Sequence, residues 1–388
     1  MPVSAQPASA PPETAASAVA QGILEILSSG SGFLRQAHHG FLAAEGDAFV
    51  PQSLIRRFGL RTGDKVAGDL GTPPGRGKSP PVESIRSVNG LDPELARGRP
   101  DFASLPATYP DERLVLECDS PRNKRDFTNR IIDLIAPLGK GQRALIVAPA
   151  RAGKTTVLQA ILEGVAINYP QAELVVLLVD ERPEEVTEME MLGYGQVVAS
   201  SFDCPAERHV TVAEMVLENA RRQVESGKDV VIVLDSLTRL ARAYNTSERG
   251  TGRMLSGGID SGALEKPKRF FGSARKVRGG TGSLTIIATA LIDTGSRGDE
   301  VIFEEFKGTG NSEIVLDRDI AERRVFPAIN IEKSATRRED LLLPPESLDK
   351  VFQLRRALHS LQPEDALQLL IKQMSDTKSN AELLGKLR

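Results

Sequence analysis

A short loop ending in Gly-Lys-Thr follows one apolar run of this chain and precedes a segment with apolar periodicity. The run covers residues 144–147, and the periodic segment starts at Val157. The residues between them are Ala148, Pro149, Ala150, Arg151, Ala152, Gly153, Lys154, Thr155 and Thr156. This order indicates a strand, a tight loop and a helix, whose backbone N–H groups surround a point suited to phosphate. Lys154 can reach the outer phosphates and the Thr155 hydroxyl can hold Mg²⁺, so the stretch predicts a nucleoside triphosphate site.

One position of this loop departs from the general pattern G-x-x-x-x-G-K-[ST]. Ala148 stands where that pattern has its first glycine. An incidental Gly-Lys-Thr at the start of a helix is therefore the alternative interpretation. The spacing and the strand-loop-helix context both favour the phosphate loop.

Two further apolar runs end in acidic residues. The run 230–234 is followed by Asp235, and the run 174–179 by Asp180 and Glu181. Ligands of a parallel sheet bind beyond the carboxyl ends of its strands. Asp235 can therefore orient Mg²⁺ and its waters, and Glu181 is the candidate general base that polarises the attacking water. A helix cap for Asp235 and a solvated loop acid for Glu181 are the alternatives.

The composition sets the class of protein that must position these groups. A chain of 388 residues with 40% apolar and 26% charged residues is typical of a soluble globular protein with two or three domains. The net charge of -3 does not indicate a nucleic-acid partner, so basic residues beside Gly-rich loops are the relevant signal. Cys118 and Cys204 fit no C-x-x-C spacing, which favours two thiols in a reducing compartment and leaves a disulfide open. No leader or membrane-spanning run is visible, so we expect a cytoplasmic protein.

The pattern along the chain predicts two folded parts. Residues 1–18 are rich in Ala, Pro and Ser, which predicts a disordered tail. Residues 19–90 contain short apolar runs broken by Gly, Asp and Pro, as in a small all-β domain. Residues 91–125 are rich in Pro, Asp and Arg and are predicted to form a linker. Residues 126–388 alternate buried strands with amphipathic helices, which predicts an α/β domain with a mostly parallel sheet.

Several long stretches carry a resemblance to a known family. They are Arg143-Ala-Leu-Ile-Val-Ala-Pro, Asp180-Glu-Arg-Pro-Glu-Glu-Val-Thr-Glu-Met, Asp235-Ser-Leu-Thr-Arg-Leu-Ala-Arg-Ala-Tyr-Asn, Phe303-Glu-Glu-Phe-Lys-Gly-Thr-Gly-Asn and Arg324-Val-Phe-Pro-Ala-Ile. With them, residues 20–388 resemble the family of transcription termination factor Rho. The resemblance implies a RecA-like P-loop ATPase domain preceded by an OB or cold-shock-like domain. Alanine at position 148 is normal in that family.

The resemblance also implies roles that spacing alone does not give. Arg337 matches an arginine that enters a neighbouring subunit's site and stabilises the charge of the transition state. Arg182 matches a residue between Glu181 and the phosphate, Arg239 follows the Walker B strand, and Phe326 matches the aromatic that stacks on adenine. The implied catalytic set is Glu181, Lys154, Arg337 and Arg182. A solvated surface arginine is the alternative for Arg337.

Two Gly-rich loops have the composition of a binding surface for a strand backbone. Glycine allows close approach to phosphates, and Arg253 and Lys307 add positive charge. The loops resemble the central-pore loops of the Rho family, whereas ordinary flexible connections are the alternative. The expected RNA contacts are Arg253, Met254, Leu255, Ser256, Gly257, Gly258, Lys307, Gly308, Thr309 and Gly310.

The all-β part resembles the family's module for pyrimidine-rich single strands, in which bases stack on aromatic rings. Phe33, Arg35 and Phe49 occupy matching positions, and a place in the core is the alternative for the two rings. Ser31 replaces a second aromatic of the family's Gly-Phe-Gly-Phe-Leu-Arg stretch, and the loop 75–81 lacks the expected tyrosine. Each lost stacking contact removes about 1–3 kcal/mol per base, so we expect a weak preference for cytosine.

These features predict an ATP- and Mg²⁺-dependent RNA translocase or helicase that terminates transcription. The expected assembly is a homohexameric ring that binds nascent single-stranded RNA and releases it from the RNA polymerase elongation complex. No membrane partner is expected. A RecA-like ring ATPase of the rotary or secretion type, acting on protein partners, is the alternative. A third possibility, an RNA-binding protein with a decayed ATP site, conflicts with the complete catalytic set.

Overall fold

The structure, a computed structural model, describes residues 18–73, 75, 78–120, 122, 126–247, 254–280 and 282–387. Its first part is an antiparallel sheet with the strand order β3-β2-β1-β4-β5. The strands are β1 Val19–Ile26, β2 Gly32–Arg35, β3 Ala48–Val50, β4 Lys65–Leu70 and β5 Val82–Val88, and helix α1 (Gln52–Phe58) follows β3. We call residues 19–90 the β module.

Alternating side chains of the β module form its core. Leu24, Leu34 and Val66 are fully buried and pack with Phe58 of α1. Successive side chains of a strand point to opposite faces, so the other face stays open. The Phe49 N–H donates to Pro80 O at 2.9 Å, which brings β3 next to β5 and curls the sheet toward a barrel. The predicted OB-like domain is confirmed.

The second part is built on a larger sheet with the main strand order β11-β10-β12-β14-β9-β15-β16. Neighbours from β11 to β15 are parallel, whereas β16 is antiparallel. The strands of this sheet are β6 Ala107–Thr108, β9 Arg143–Pro149, β10 Glu173–Glu181, β11 Gln196–Ser201, β12 Asp229–Asp235, β13 Arg275–Val277, β14 Ser283–Ile292, β15 Ser312–Val315 and β16 Ala335–Thr336, and β7 Arg113–Leu114 pairs with β8 Leu138–Gly139 in a separate two-stranded sheet. The predicted RecA-like α/β fold is confirmed.

Helices cover both faces of this sheet. Those of the α/β domain are α3 Thr128–Ile135, α4 Lys154–Asn168, α5 Pro183–Leu192, α6 Ala206–Glu225, α7 Leu237–Ser247, α8 Glu265–Gly272, α9 Arg297–Lys307, α10 Arg318–Glu322, α11 Pro345–His359, α12 Pro363–Ser375 and α13 Asn380–Lys386, whereas α2 Pro93–Arg97 packs against β5 and α1 of the β module. In β12, Val231 and Val233 pack with α3 and α4, whereas Ile232 and Leu234 pack with α6 and α7. A strand buried on both faces is therefore apolar throughout, as its sequence indicates.

The predicted linker, residues 91–125, contacts both parts at several of its described residues. Strand β6 pairs with β13, and Leu116 is fully buried in the core beside α4. Glu225 of α6 binds Arg61 of the β module at 2.7 Å and accepts a hydrogen bond from the Phe102 N–H at 2.8 Å. Burial raises the pKa of Glu225 despite the nearby arginines. The segment thus joins the β module to the α/β domain through buried contacts.

Three simpler expectations can be compared with the same structure. Residues 1–17 of the predicted tail lie outside the described residues. Cys118 and Cys204 are not joined in a disulfide. None of the helices in the described part of the chain has the length and apolar character needed to cross a bilayer.

Candidate functional site

The predicted phosphate loop connects β9 to α4 at the carboxyl edge of the sheet. Ala148 is fully buried, whereas Ala150 and Arg151 are exposed. Arg151 and Gly153 have positive φ values of 66° and 90°, and α4 begins directly afterwards without a side-chain cap. The first N–H groups of a helix have no partner within that helix. The N–H groups of Lys154, Thr155 and Thr156 are therefore oriented toward an anion at this point.

Three residues that are distant in sequence meet at this edge. Lys154 Nζ lies 2.8 Å from both carboxylate oxygens of Asp235 and 3.2 Å from Glu181 Oε1. Asp235 ends β12 and Glu181 ends β10, and these strands are parallel neighbours. Burial acts to lower the pKa of Lys154, but the two carboxylates together raise it above its ordinary value. The lysine is thus a fixed cation at the loop.

A hydroxyl of the neighbouring strand β14 holds the Asp235 carboxylate. Thr289 Oγ1 donates to Asp235 Oδ1 at 2.7 Å, and Thr289 is fully buried. The sequence analysis missed this residue. A polar side chain within the apolar stretch Leu284–Leu291 was the signal that could have found it. Such a contact orients a metal ligand.

Glu181 combines burial with nearby cations. The residue is only 2% exposed, and Arg239 Nη1 lies 3.1 Å from its Oε2. Burial and the Glu185 carboxyl raise the pKa of Glu181 more than Lys154 and Arg239 lower it. A carboxylate with a raised pKa is suited to accept a proton near neutral pH. Arg182, the next residue, is exposed at the start of α5.

Phe326 lies beside the phosphate loop although it is distant in sequence. A Cβ built on Gly153 would lie 3.6 Å from Cδ1 and Cε1 of the Phe326 ring. The ring is 48% exposed, which is unusual for a side chain of this size. It therefore offers a flat apolar surface next to the phosphate site.

Arg337 lies near the amino end of β9, whereas the phosphate loop follows the carboxyl end of that strand. Its N–H donates to Asn311 O at 2.8 Å, and the Asn311 N–H donates in turn to Arg143 O at 2.9 Å. Arg143 begins β9 and Pro149 ends it, which at 3.3 Å per residue separates Arg337 from its own phosphate loop by about 20 Å. Its exposed side chain therefore cannot reach the nucleotide site of the same chain.

The two Gly-rich loops lie at opposite ends of α9. In the first loop the exposed residues are Met254, Leu255, Ser256, Gly257 and Gly258. Arg253 lies outside the described residues. Gly257 has φ 73° and packs so closely on Gly298 that an added Cβ would lie 2.3 Å from the Gly298 nitrogen. At the far end, Lys307 and Gly308 are exposed, Thr309 is half-buried and Gly310 is buried. A helix of 11 residues separates the loops by about 16 Å.

The β module presents an aromatic pair on its open face. Phe33 and Phe49 face each other across β2 and β3 with ring centroids 5.6 Å apart and are only partly buried. They lie outside the core of the module, so the structure favours a stacking surface over a core role. Arg35 lies 4.9 Å from the Phe33 centroid. However, Arg35 is 6% exposed, and its guanidinium forms ion pairs with Glu25 and Asp47 at 2.6 Å. Its charge is therefore neutralised by these two carboxylates beside the Phe33 ring and is not directed at solvent.

Two family descriptions match separate parts of the chain. The ATP synthase alpha/beta family nucleotide-binding domain matches residues 128–336, and the Rho termination factor RNA-binding domain matches residues 20–94. The transcription termination factor Rho of Cereibacter sphaeroides is 54% identical over 94% of this chain and 86% of its own length. That of Pseudomonas aeruginosa is 53% identical over 95% of this chain and 87% of its own length. A longer relative of the same name, from Gemmatimonas aurantiaca, is 58% identical over 92% of this chain, which spans 48% of that protein.

Solved structures show a similar fold. A prototypical ATPase from the type III secretion system of pathogenic bacteria is 27% identical, with a TM-score of 0.52, over 66% of this chain and 76% of that one. The assembled ATPase EscN of the enteropathogenic E. coli type III secretion system is 24% identical, with a TM-score of 0.58, over 75% and 74% of the two chains. The second similarity concerns the fold alone.

Proposed function

This chain belongs to the family of transcription termination factor Rho, and we propose that it works as a ring-shaped motor that pulls nascent RNA away from RNA polymerase. It is a transcription termination factor with an RNA-binding domain and an RNA-dependent ATPase domain. The observation that carries the proposal is the convergence of Lys154, Asp235 and Glu181 beside the phosphate loop. The secretion-type alternative shares the ATPase fold but does not account for the RNA-binding domain.

The residues at the carboxyl edge divide the work of phosphoryl transfer. Lys154 and the free N–H groups of α4 bind the phosphates of ATP, and Phe326 stacks on the adenine. Glu181 accepts a hydrogen bond from the attacking water and can take its proton. Arg239 keeps the Glu181 carboxylate in place by its contact at 3.1 Å. Arg182 is exposed next to Glu181 and is suited to contact the terminal phosphate.

The side chains at this edge also fit a magnesium ion. Among the residues that the structure describes, no group of three His, Cys, Asp or Glu side chains is placed to hold a metal by itself. Mg²⁺ keeps several waters and is usually bound through one or two protein oxygens together with substrate phosphates. The Thr155 hydroxyl and the Asp235 carboxylate would hold it, and the ion would neutralise charge that develops on the phosphates.

The position of Arg337 supports a ring of identical subunits. This arginine is exposed and about 20 Å from its own phosphate loop, so it is placed to serve a different subunit. In a closed ring each subunit then contributes Arg337 to the site of its neighbour, where it stabilises transition-state charge. We propose a homohexamer that acts on transcripts in the cytoplasm.

The RNA path joins two surfaces of the chain. The Phe33 and Phe49 rings stack bases of the incoming strand, and stacking contributes about 1–3 kcal/mol per base. The loops at both ends of α9, with Lys307 and the segment 254–258, contact the RNA backbone in the central pore. Hydrolysis at the subunit interface shifts these loops and moves the strand.

Phosphate release with and without single-stranded RNA tests the proposal. We expect hydrolysis to depend on RNA and to vanish in Lys154→Ala, because the lysine binds the phosphates directly. Phe33→Ala is the matched variant for the β module and should raise the RNA concentration needed for activation without changing the maximal rate. ATP hydrolysis that is indifferent to RNA would refute the proposed function.

A further inference from the structure

Strand β10 contains one extra residue directly before the candidate general base. Val179 pairs with Ser200 of β11, and Glu181 pairs with the next residue of that strand. Asp180 therefore has no partner in β11, and its φ of 56° lies in the left-handed region, which is uncommon for residues other than glycine. This arrangement is a β-bulge, and bulges beside active sites redirect side chains of the bulged strand. The bulge thus sets the direction of the Glu181 side chain.

A buried side-chain pair holds the strand opposite the bulge. Ser200 Oγ and His209 Nδ1 are 2.7 Å apart, and the two residues are 1% and 5% exposed. Ser200 belongs to β11 and His209 to the first turn of α6, so this hydrogen bond joins the helix to the strand beside the bulge. Burial lowers the pKa of His209 although the nearby Asp180 carboxylate acts in the opposite direction, so the imidazole is neutral at pH 7.

The position of β11 in the sheet makes this contact important. Among the strands that the structure describes, β11 pairs with β10 alone. An edge strand has no ladder of hydrogen bonds on its outer side, so contacts with a covering helix help to fix it. The Phe202 N–H, directly after β11, donates to Glu181 O at 3.1 Å. A displacement of β11 therefore moves the Glu181 backbone and disturbs the contacts of Arg239 with Asp180 at 3.6 Å and with Glu181 at 3.1 Å.

We propose that Ser200 and His209 are positioning residues that hold the bulge at Asp180 and thereby orient Glu181 toward the attacking water. This inference rests on the proposed function of Glu181 as general base. Loss of the pair frees the end of β11, and the Glu181 carboxylate leaves the position in which it accepts a hydrogen bond from water. The phosphate loop follows β9, and three strands separate β9 from β11, so ATP binding should persist.

The experiment measures ATP hydrolysis by the full chain at saturating Mg²⁺ and poly(C) RNA. His209→Leu removes the hydrogen bond and keeps a large side chain in the core. A displacement of about 1 Å in an active site can lower a rate about 100-fold, so we expect kcat to fall by up to about that factor while the KM for ATP is unchanged. His209→Asn should keep most of kcat, because asparagine can place either an acceptor oxygen or a donor nitrogen where Nδ1 lies. Ser200→Ala keeps the imidazole and should lower kcat as His209→Leu does.

Asn219→Leu is the matched control on the same helix. Asn219 is 8% exposed, and its Nδ2 donates to Gly63 O at 2.8 Å, about 15 Å along α6 from His209. Loss of this buried hydrogen bond should lower the melting temperature and leave kcat unchanged. An equal loss of kcat in Asn219→Leu and His209→Leu would show that a weakened α6 is the cause and would overturn the inference.

A double substitution shows whether the pair acts through Glu181. Glu181→Gln removes the base, so His209→Leu should cause no further loss of kcat in that background. If His209→Leu does not fold, Ser200→Ala takes its place in the same comparison. Wild-type kcat in His209→Leu, no rescue by His209→Asn, or a full further loss in the double variant would overturn the inference. Wild-type kcat in Glu181→Gln would instead refute the proposed function of Glu181.

Discussion

Replacing Thr289 by valine removes one hydroxyl from the candidate magnesium site and keeps the shape of the side chain. Thr289 Oγ1 donates to Asp235 Oδ1 at 2.7 Å, and the two residues are 0% and 2% exposed. A hydrogen bond to a charged group contributes about 1.5–3 kcal/mol, and a buried carboxylate cannot replace it with water. That energy corresponds to a factor of about 10–150 in an equilibrium constant.

The expected effect falls on the magnesium requirement. Residues that orient a metal ligand typically contribute about 10–100-fold to metal affinity or activity, which agrees with the energy of this hydrogen bond. We therefore expect Thr289→Val to raise the Mg²⁺ concentration for half-maximal hydrolysis by about 10–100-fold. Phosphate release is measured against Mg²⁺ at saturating RNA and fixed ATP.

Thr285→Val is the matched control on the same strand. Thr285 is also fully buried, and its Oγ1 accepts a hydrogen bond from the Gly141 N–H at 2.8 Å, about 13 Å along the strand from Thr289. Loss of this hydrogen bond should lower the melting temperature and leave unchanged the Mg²⁺ concentration for half-maximal hydrolysis, which we call the magnesium midpoint. Equal magnesium midpoints for Thr289→Val, Thr285→Val and the wild type would show that the hydroxyl does not orient Asp235 for a metal.

Further measurements address the other assigned residues. Mixing Arg337→Ala with Lys154→Ala subunits should restore part of the hydrolysis that each lacks alone, and no recovery at any ratio would contradict an arginine supplied by the neighbour. Phe326→Ala should raise the KM for ATP while Phe326→Tyr retains it, because both aromatic rings can stack on adenine; equal KM values would argue against the stacking role. Burial raises the pKa of Asp133 to about 6 from 3.8, so this group stabilises the fold below pH 3.8 and loses that contribution as the pH rises through 6. Asp133→Asn should remove about 2 kcal/mol of pH dependence from the free energy of unfolding between pH 7 and pH 4, and a denaturant series at each pH checks this.

Much of the fold followed from local patterns. The apolar run 230–234 predicted a strand buried on both faces, and in β12 Val231 and Ile232 indeed pack against helices on opposite sides. The order of strand, loop and helix around Lys154 followed from spacing, because neighbours along a chain are constrained to be neighbours in space. The same reasoning did not predict the structure of residues 91–125, where pairing of β6 with β13 depends on a strand far along the chain.

The candidate site was predictable only in part. Lys154, Asp235 and Glu181 were found because each follows an apolar run at the carboxyl edge of a parallel sheet. Arg35 was expected to contact RNA, which stays a prediction, but the structure directs its guanidinium to Glu25 and Asp47. A charged residue in a sequence gives no information about which partner neutralises it.

The sequence by itself determined the phosphate loop, the two acidic strand ends and the division into a β module and an α/β domain. These features depend on residue type and on spacing within one or two elements. The tertiary structure decided that Thr289 holds Asp235, that Phe326 lies beside Gly153 and that Arg337 is about 20 Å from its own phosphate loop. The physical reason is strand order and register, because residues from different strands become neighbours only when the sheet has assembled, and no local pattern encodes that pairing.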